Sequence, residues 1–122
     1  MLRPLDVIWI PDDTIRPPAP KMVVCISPSD GWFYRINTRG HHRPCIPLLR
    51  LPDHGFLKHD SYLEVGEPLE LDDYIVEEAL ARSGVIGRVD QTLCAAIIGH
   101  LAEARFLNEV DKATIRRVLE GL

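Results

Sequence analysis

Short apolar runs separated by turn-forming residues fill the first half of the chain. The runs are rich in β-branched and aromatic residues, and prolines, glycines, serines and aspartates bound them. This pattern is typical of short strands, and a nearly continuous apolar run indicates a strand that is buried on both faces. The pattern predicts buried strands at 5–10, 21–27 and 32–37, and weaker strands at 45–51 and 61–65.

The connections between the first three strands carry clear loop and turn signals. Residues 11–20 contain four prolines and predict a loop. A Pro-Ser-Asp-Gly sequence follows the second strand and predicts a tight turn with Gly31 at positive φ. The second and third strands should therefore form a hairpin. Within the third strand, the two-residue period places Tyr34 and Ile36 on the face opposite Phe33.

The second half of the chain changes to the spacing of amphipathic helices. Apolar residues recur three and four positions apart, and Gly84 follows the first such segment. Asp90 is the expected N-cap of the second segment. The pattern predicts helices at 72–84, 90–107 and 111–122, with a short strand at 85–89. Strands followed by helices predict an α+β fold with a small barrel-like sheet.

The composition excludes several classes of protein. The 122 residues are 46% hydrophobic and 26% charged, which fits one globular domain. No apolar run approaches the roughly 18–20 residues that span a bilayer, and the first residues lack the pattern of a cleaved signal peptide. The three cysteines are widely separated in apolar surroundings, which indicates reduced thiols. A cytoplasmic protein without a membrane span or a disulfide framework is expected.

The charges are distributed unevenly along the chain. The formal net charge is −4, but residues 1–60 hold eight Lys and Arg, six Asp and Glu and four of the five histidines. Residues 61–122 hold six Lys and Arg against twelve Asp and Glu. An anionic ligand is therefore expected to bind the first half. The alternative is that the acids of a helical second half are simply solvated.

Five segments of the chain occur in an order and spacing that a known family shares. They are LDVIWI, KMVVCISP, RINTRG, GFLKHDSYLEV and VIGRVDQTLCAAIIGHL. Together they resemble the PemK/MazF family of toxins from bacterial toxin–antitoxin pairs, over about residues 5–101. The chain departs from the family pattern where Leu5 replaces a glycine, Lys21 an arginine and Met22 a proline. The resemblance implies a single domain, with an SH3-like β-barrel at about 5–89 and a helical part at about 90–122.

The resemblance also implies an activity. Toxins of this family are metal-independent endoribonucleases that cut single-stranded RNA by attack of a 2′-hydroxyl on the adjacent phosphate. They need no cofactor, are usually homodimers and are neutralised by a cognate antitoxin protein. The reaction needs a proton acceptor, a proton donor for the leaving oxygen, and donors around the phosphate. The alternative is a catalytically degenerate barrel that binds a protein or RNA, which the altered signature positions and the shorter first loop favour.

Carried over by position, the family's catalytic arginine and threonine correspond to Lys21 and Thr38. A lysine cannot make the two-pronged phosphate contact of arginine, and Arg16 in the first loop is the candidate that restores a guanidinium. Thr38 opens the stretch TRGHHRPC, which the resemblance puts beside the RNA groove. Four of its side chains are predicted to contact phosphates, and a histidine there can also shuttle protons. They are Arg39, His41, His42 and Arg43. An ordinary solvated loop is the competing interpretation.

The spacing of the candidate residues favours neither a zinc site nor a hydrolase triad. His41, His42 and Cys45 are ligand types that zinc accepts, but their spacing is not an established ligand pattern and no Cys-x-x-Cys is present. We therefore predict no metal site. The KHDSY stretch holds Ser61, His59 and Asp60, but the members of a hydrolase triad come from separate elements. A structural turn is predicted there instead.

Overall fold

The computed structural model of the chain describes residues 2–12 and 19–122. Arg16 and the rest of residues 13–18 lie outside the described residues, and so does the side chain of Asp12. The strands in the described part are β1 (Asp6–Asp12), β2 (Ala19–Ser27), β3 (Trp32–Asn37), β4 (Cys45–Leu48), β5 (Ser61–Glu64), β6 (Leu69–Glu70) and β7 (Gly87–Arg88). The α-helices there are α1 (Asp73–Arg82), α2 (Cys94–His100) and α3 (Glu109–Glu120). None of the described helices combines the length and the apolarity that crossing a membrane requires.

The strands form one antiparallel sheet that curls into a half-barrel. Neighbouring strands follow the order β4-β5-β3-β2-β1-β7, and β6 pairs with the beginning of β3. The predicted hairpin of the second and third strands is present, and Gly31 in its turn has φ 70°. The prediction of an α+β fold with a small curled sheet and helices in the second half is therefore confirmed at this level.

The first two strands are longer than predicted, and the predicted loop at 11–20 is correspondingly too long. Their pairing runs from Val7 opposite Val24 to Asp12 opposite Ala19, and it includes Pro11 opposite Pro20. Antiparallel ladders alternate between hydrogen-bonded and non-hydrogen-bonded pairs. Two facing prolines have no N–H to donate, so they fit a non-hydrogen-bonded pair without breaking the ladder. The prediction from proline content therefore placed the end of β1 and the beginning of β2 wrongly.

Both faces of the central strands are buried, as their nearly continuous apolar runs predicted. The larger core lies between the sheet, α2 and α3, and it includes Val7, Val24, Tyr34, Ile36, Ile97 and Ile115. The smaller core lies between the sheet and α1, and it includes Ile8, Val23, Phe33 and Ala79. Tyr34 and Ile36 thus lie on the face opposite Phe33, which confirms the predicted alternation along β3.

The helix predicted at 90–107 is much shorter than its apolar stripe suggested. Asp90 caps the segment as predicted, because its carboxylate accepts a backbone N–H two residues further on at 3.2 Å. The α-helix nevertheless ends at His100, a 3₁₀ turn follows, and Ala104 has an extended backbone with φ −79° and ψ 100°. Phe106, the aromatic residue of the stretch, is 88% exposed. Periodicity identified buried positions but not the residue at which the backbone leaves the helix.

The remaining predicted elements are shorter than their patterns or shifted by a few residues. The strand predicted at 45–51 ends at Leu48, the strand at 85–89 is reduced to β7, and β6 was not predicted. Two-residue strands contain too few positions for a period to be visible. The last helix begins at Glu109 because the Asn108 side chain accepts the Asp111 N–H at 2.8 Å, which fixes its first turn.

Leu5 has an unusual backbone conformation at the beginning of the sheet. Its φ is 77°, in the left-handed region, and its side chain is fully buried. Such a conformation costs a residue other than glycine about 1–2 kcal/mol. Two backbone hydrogen bonds offset that strain, from the Leu5 N–H to Cys25 O at 2.7 Å and from the Val89 N–H to Leu5 O at 2.9 Å. Leu5 therefore ties the first strand to the two strands beside it.

Candidate functional site

A small cavity lies where the beginning of β2, the end of β3 and the loop before β5 meet. Its volume is about 290 Å³, and the polar part of its lining is Lys21, Asn37, Thr38, Lys58, His59 and Ser61. We call it the Lys21 cavity. The antiparallel pairing of Asn37 with Tyr62 explains this meeting, because it brings Thr38 beside Ser61 and the loop that precedes it. The structure thus places the two carried-over residues, Lys21 and Thr38, in one cavity.

A chain of hydrogen bonds fixes the Lys21 ammonium. Its Nζ donates to Asn37 Oδ1 at 2.5 Å, and Asn37 Nδ2 donates to Glu64 Oε1 at 3.0 Å. Glu64 also lies 3.9 Å from the Arg35 guanidinium. Asn37 is only 7% exposed, and hydrogen bonds of a buried amide fix its rotamer. The ammonium is therefore held in a defined place by Asn37 rather than spread over many rotamers.

One ring nitrogen of His59 is available to accept a proton, because the other already makes a hydrogen bond. Its Nδ1 lies 2.9 Å from the backbone carbonyl oxygen of Asp60. A carbonyl oxygen only accepts hydrogen bonds, so Nδ1 carries the proton in this contact and Nε2 of the neutral ring has a free lone pair. The side chain is exposed at the cavity rim. This is the tautomer that a general base requires.

The KHDSY stretch forms the structural turn that was predicted, and the Ser61 hydroxyl also lies 3.4 Å from His59 Nδ1. The Ser61 hydroxyl donates to the His59 carbonyl oxygen at 3.1 Å, and the Asp60 carboxylate accepts the Arg50 backbone N–H at 2.8 Å. In a triad the serine would bond the imidazole nitrogen opposite the one held by the acid. Here the serine and the aspartate hold the backbone of the turn. Their effect is to fix the position of His59 at the cavity.

The described lining of the Lys21 cavity is rich in basic side chains. It includes Lys21 and Lys58, which are cations, and the imidazole of His59. Thr38 is exposed and adds a hydroxyl donor. A cation, a neutral donor and a histidine base around one concave surface are the groups that a phosphate ester needs for transesterification.

A second and larger cavity contains most of the TRGHHRPC stretch. Its volume is about 880 Å³, and its walls include His41, His42, Arg43, Glu64, Glu67 and Glu103. We call it the His41 cavity. The segment that follows α2 forms its other side, with Arg105 and Phe106. Three of the four residues predicted to contact RNA therefore lie here and not in the Lys21 cavity.

The carboxylates of the His41 cavity already have partners. Glu64 accepts from Asn37, Glu67 Oε1 accepts the Phe106 backbone N–H at 3.0 Å, and Glu103 pairs with the His100 Nδ1. These contacts hold the carboxylates in place, but the negative charges remain. An RNA phosphate would meet both cations and anions in this cavity.

Arg39, the fourth of these residues, is in the described lining of neither cavity. Arg39 is exposed in the loop between Thr38, which lines the Lys21 cavity, and His41, which lines the second cavity. Arg16 lies outside the described residues, so its proposed role stays a prediction. The TRGHHRPC stretch is therefore a connection between two surfaces rather than a single site.

The cysteines are reduced, and two of them are buried. Burial and, to a smaller extent, the nearby Asp6 carboxylate raise the pKa of the Cys25 thiol from 9.0 to about 12. Burial also raises the pKa of Cys94. Thiols of this kind are poor nucleophiles. In the part of the chain that the structure describes, no group of three or more His, Cys, Asp or Glu is arranged to hold a metal ion.

Sequence reasoning missed Lys58 and His59 as members of the site. Their stretch was assigned a structural role, which is correct for Asp60 and Ser61 but incomplete. The available signal was the weak strand predicted at 61–65. Had its pairing with the end of β3 been inferred, the residues just before it would have been expected beside Thr38. Strand pairing between distant segments is not encoded in local pattern, so the sequence around Lys58 and His59 does not show that they lie beside Thr38.

Comparison with known proteins adds no family to this picture. No protein-family model, curated protein or solved structure matches the chain. Its function must therefore be inferred from the chemistry of its cavities.

Proposed function

We propose that this protein is a metal-independent endoribonuclease that cuts single-stranded RNA in the Lys21 cavity. The observation that carries the proposal is the lining of that cavity, to which Lys21, Thr38 and His59 all contribute. Each group has a part in transesterification of a phosphodiester. The proposal keeps the two residues carried over from the toxin family and adds a base that the family pattern does not name.

The reaction begins when His59 Nε2 accepts the proton of a ribose 2′-hydroxyl. The 2′-oxygen forms a bond to the adjacent phosphorus, and the bond from phosphorus to the 5′-oxygen breaks. The products are a 2′,3′-cyclic phosphate and a 5′-hydroxyl, whose proton comes from the Lys58 ammonium or from water. Lys21 and the Thr38 hydroxyl stabilise the negative charge that develops on the non-bridging oxygens.

Asn37 is the positioning residue of this proposal. It holds the Lys21 ammonium at 2.5 Å and is itself held by Glu64 at 3.0 Å. Catalysis by a fixed charge needs no reorganisation when the phosphate charge develops, which is where most of the electrostatic benefit arises. A lysine held in this way partly compensates for the absence of an arginine fork at this position.

Two local features support the resemblance to PemK/MazF toxins and their SH3-like barrel. Leu5 stands where the family has glycine, and its left-handed φ of 77° is a conformation that glycine adopts without strain. Gly87 lies in the segment that resembles the family's Ile-Gly strand, and a Cβ there would overlap the Phe56 ring. Phe56 in turn lines the Lys21 cavity. We accordingly propose a cytoplasmic toxin that forms a homodimer and is neutralised by an antitoxin protein.

The test is cleavage of a long unstructured RNA by the purified protein in EDTA. We expect cleavage that survives EDTA and leaves 2′,3′-cyclic phosphate ends. Lys21→Ala and Thr38→Ala should each lower the rate by about 10-fold to 1000-fold, since removing one donor to a developing oxyanion has effects of that order. Lys112→Ala is the matched control, because Lys112 lies on α3 and its partner is Glu109.

Three outcomes would contradict the proposal. The parent protein cuts no RNA of any sequence, cleavage disappears in EDTA, or Lys21→Ala cuts as fast as Lys112→Ala. Circular dichroism of each variant separates a lost catalytic group from a lost fold. A folded parent protein that binds RNA but never cuts it would favour the alternative of a catalytically degenerate binding barrel.

A further inference from the structure

A third pocket adjoins the Lys21 cavity and differs from it in chemistry. Its volume is about 630 Å³, and its walls are mainly apolar, with Trp9, Ile10, Pro11 and Pro20 from the far end of the β1–β2 hairpin. Lys58 and Arg82 supply the charged part of the described lining, and no carboxylate is in it. The Arg82 guanidinium is paired with Glu78 at 2.5 Å on the exposed surface of α1, and Lys58 is the other cation of the described lining.

The two cavities share walls. Trp9, Pro20 and Lys58 line both of them. The strand register explains this, because Trp9 lies opposite Met22 and its neighbour Ile10 lies opposite Lys21. Trp9 and Met22 thus share one face of the hairpin, next in register to Ile10 and Lys21 on the other face, and Trp9 belongs to the walls that the two cavities have in common.

We propose that this apolar pocket binds a nucleobase of the RNA strand whose scissile phosphate lies at Lys21, with the base stacked on the Trp9 indole. The inference rests on the proposed function and names the substrate subsite beside it. Single-stranded nucleic acids bind where a cationic groove follows the backbone and aromatic side chains receive the bases. Here Lys21 and Lys58 supply the cations, and Trp9 is the aromatic group in the wall that the two cavities share.

The chemistry of the pocket favours a nucleobase over a peptide strand as its ligand. Trp9 is half-buried, so its ring is fixed but still offers surface to a ligand. The proline and isoleucine walls give flat apolar contact but few hydrogen-bond partners, which suits the faces of a base more than the backbone of a peptide strand. The shared Lys58 suits the phosphate that links two nucleotides.

The experiment uses Trp9 as its own reporter. The chain has two tryptophans, and Trp32→Phe leaves Trp9 as the single tryptophan. The Trp32→Phe variant is titrated with a 2′-O-methyl hexanucleotide, which cannot be cleaved because its 2′-hydroxyls are blocked. The matched probe is an abasic strand of equal length and charge. We expect the hexanucleotide to quench Trp9 fluorescence and the abasic strand to bind about 5-fold to 150-fold more weakly, the range expected for one stacked base.

Variants at Trp9 provide the second measurement. Trp9→Ala should weaken hexanucleotide binding by about 10-fold, and Trp9→Phe should retain most of the affinity because it keeps an aromatic face. Equal binding of the hexanucleotide and the abasic strand would overturn the proposal. Equal affinities of Trp9→Ala and the parent protein would overturn it as well. The abasic comparison does not use the alanine variant, so it stands even if that variant does not fold.

Failure of this proposal can be told apart from failure of the proposed function. Base-dependent quenching without any RNA cleavage would support the base subsite and reject the proposed nuclease activity. RNA cleavage without base-dependent quenching would support the nuclease activity and reject the base subsite. Quenching by a poly-glutamate peptide but not by the hexanucleotide would assign the pocket to an acidic protein partner and reject the nucleobase.

Discussion

The Lys21 cavity and the His41 cavity are both rich in basic and histidine side chains, yet their electrostatic character differs. The described lining of the first holds two lysines and no carboxylate, whereas the second holds Glu64, Glu67 and Glu103 beside its arginines and histidines. A basic run in the sequence therefore says little about the charge that a ligand meets. What matters is which residues from distant segments line the same walls.

The two cavities are also connected through one buried amide. Asn37 holds Lys21 on one side and donates to Glu64 on the other, and Glu64 lines the His41 cavity. The acid of the second cavity thus helps to position the cation of the first. Under the proposed function, RNA cleavage takes place in the Lys21 cavity. The carboxylates of the His41 cavity serve partly to hold neighbouring side chains and backbone in place.

The largest expected difference between the cavities is in catalysis. His59→Ala should lower RNA cleavage by about 100-fold to 10,000-fold, the usual contribution of a general base. His42→Ala should change it by less than about 3-fold, because His42 is an equally exposed histidine in the other cavity. Initial rates on one RNA under single-turnover conditions measure both. Added imidazole should restore part of the His59→Ala rate, and a similar loss in both variants would remove the distinction between the cavities.

The next effect concerns stability at high pH. Burial raises the pKa of Tyr34 above its usual value, and the charge of Glu67, from the His41 cavity, raises it further. Burial raises the pKa of Cys25 from 9.0 to about 12. Both groups ionise more readily in the unfolded chain, so the stability they contribute is complete below pH 9 and is lost as the pH rises toward the folded pKa values. The free energy of unfolding should fall by about 1.4 kcal/mol per pH unit for each group in that range.

Urea unfolding between pH 8 and pH 11 checks this expectation. Cys25→Ala should make the fall less steep, because one of the two ionising groups is gone. Tyr34→Phe should have the same effect above pH 10, since it removes the other buried group whose pKa is raised. Tyr74→Phe is the matched control, because Tyr74 is an exposed tyrosine. A flat stability profile across this range would show that the two groups are not protected from ionisation by the fold.

The smallest expected effect is in the salt dependence of RNA binding. Each phosphate contact on a single strand contributes about 0.7 to the slope of log affinity against log salt concentration. Lys58→Ala should reduce the slope by about that amount, because Lys58 lies between two cavities that lack carboxylates in their described linings. Arg43→Ala should reduce it less, because three glutamates share its cavity. Titration with the uncleavable hexanucleotide at several salt concentrations measures both slopes, and a larger change for Arg43 would reverse the comparison.

Much of the fold could be predicted from local pattern. The central strands, the turn at Gly31, the cap at Asp90 and the amphipathic helices all follow from residue types within a few positions of one another. The ends of the elements were less predictable. The paired prolines Pro11 and Pro20 extended a strand pair into an expected loop, and the helix after Asp90 ended early despite its apolar stripe.

The candidate site was predicted only in part. Lys21 and Thr38 were named from the family pattern and share a cavity, but His59 was assigned to a turn and His41 and His42 lie in a second cavity. Asn37 was not considered because an asparagine at the end of a strand is an ordinary residue in sequence. Its importance comes from two partners that are 16 and 27 residues away along the chain.

The sequence by itself determined the α+β class, the buried strands and the uneven distribution of charge. These depend on local periodicity and composition, which act over one or two turns of backbone. Only the tertiary structure decided which charges lie together. The pairing of β3 with β5 brings Thr38 to the loop of His59, and the antiparallel pairing of β2 with β3 brings Lys21 to Asn37. The free energy of such contacts depends on distance in space and on shared burial, and neither is a property of neighbouring positions in the chain.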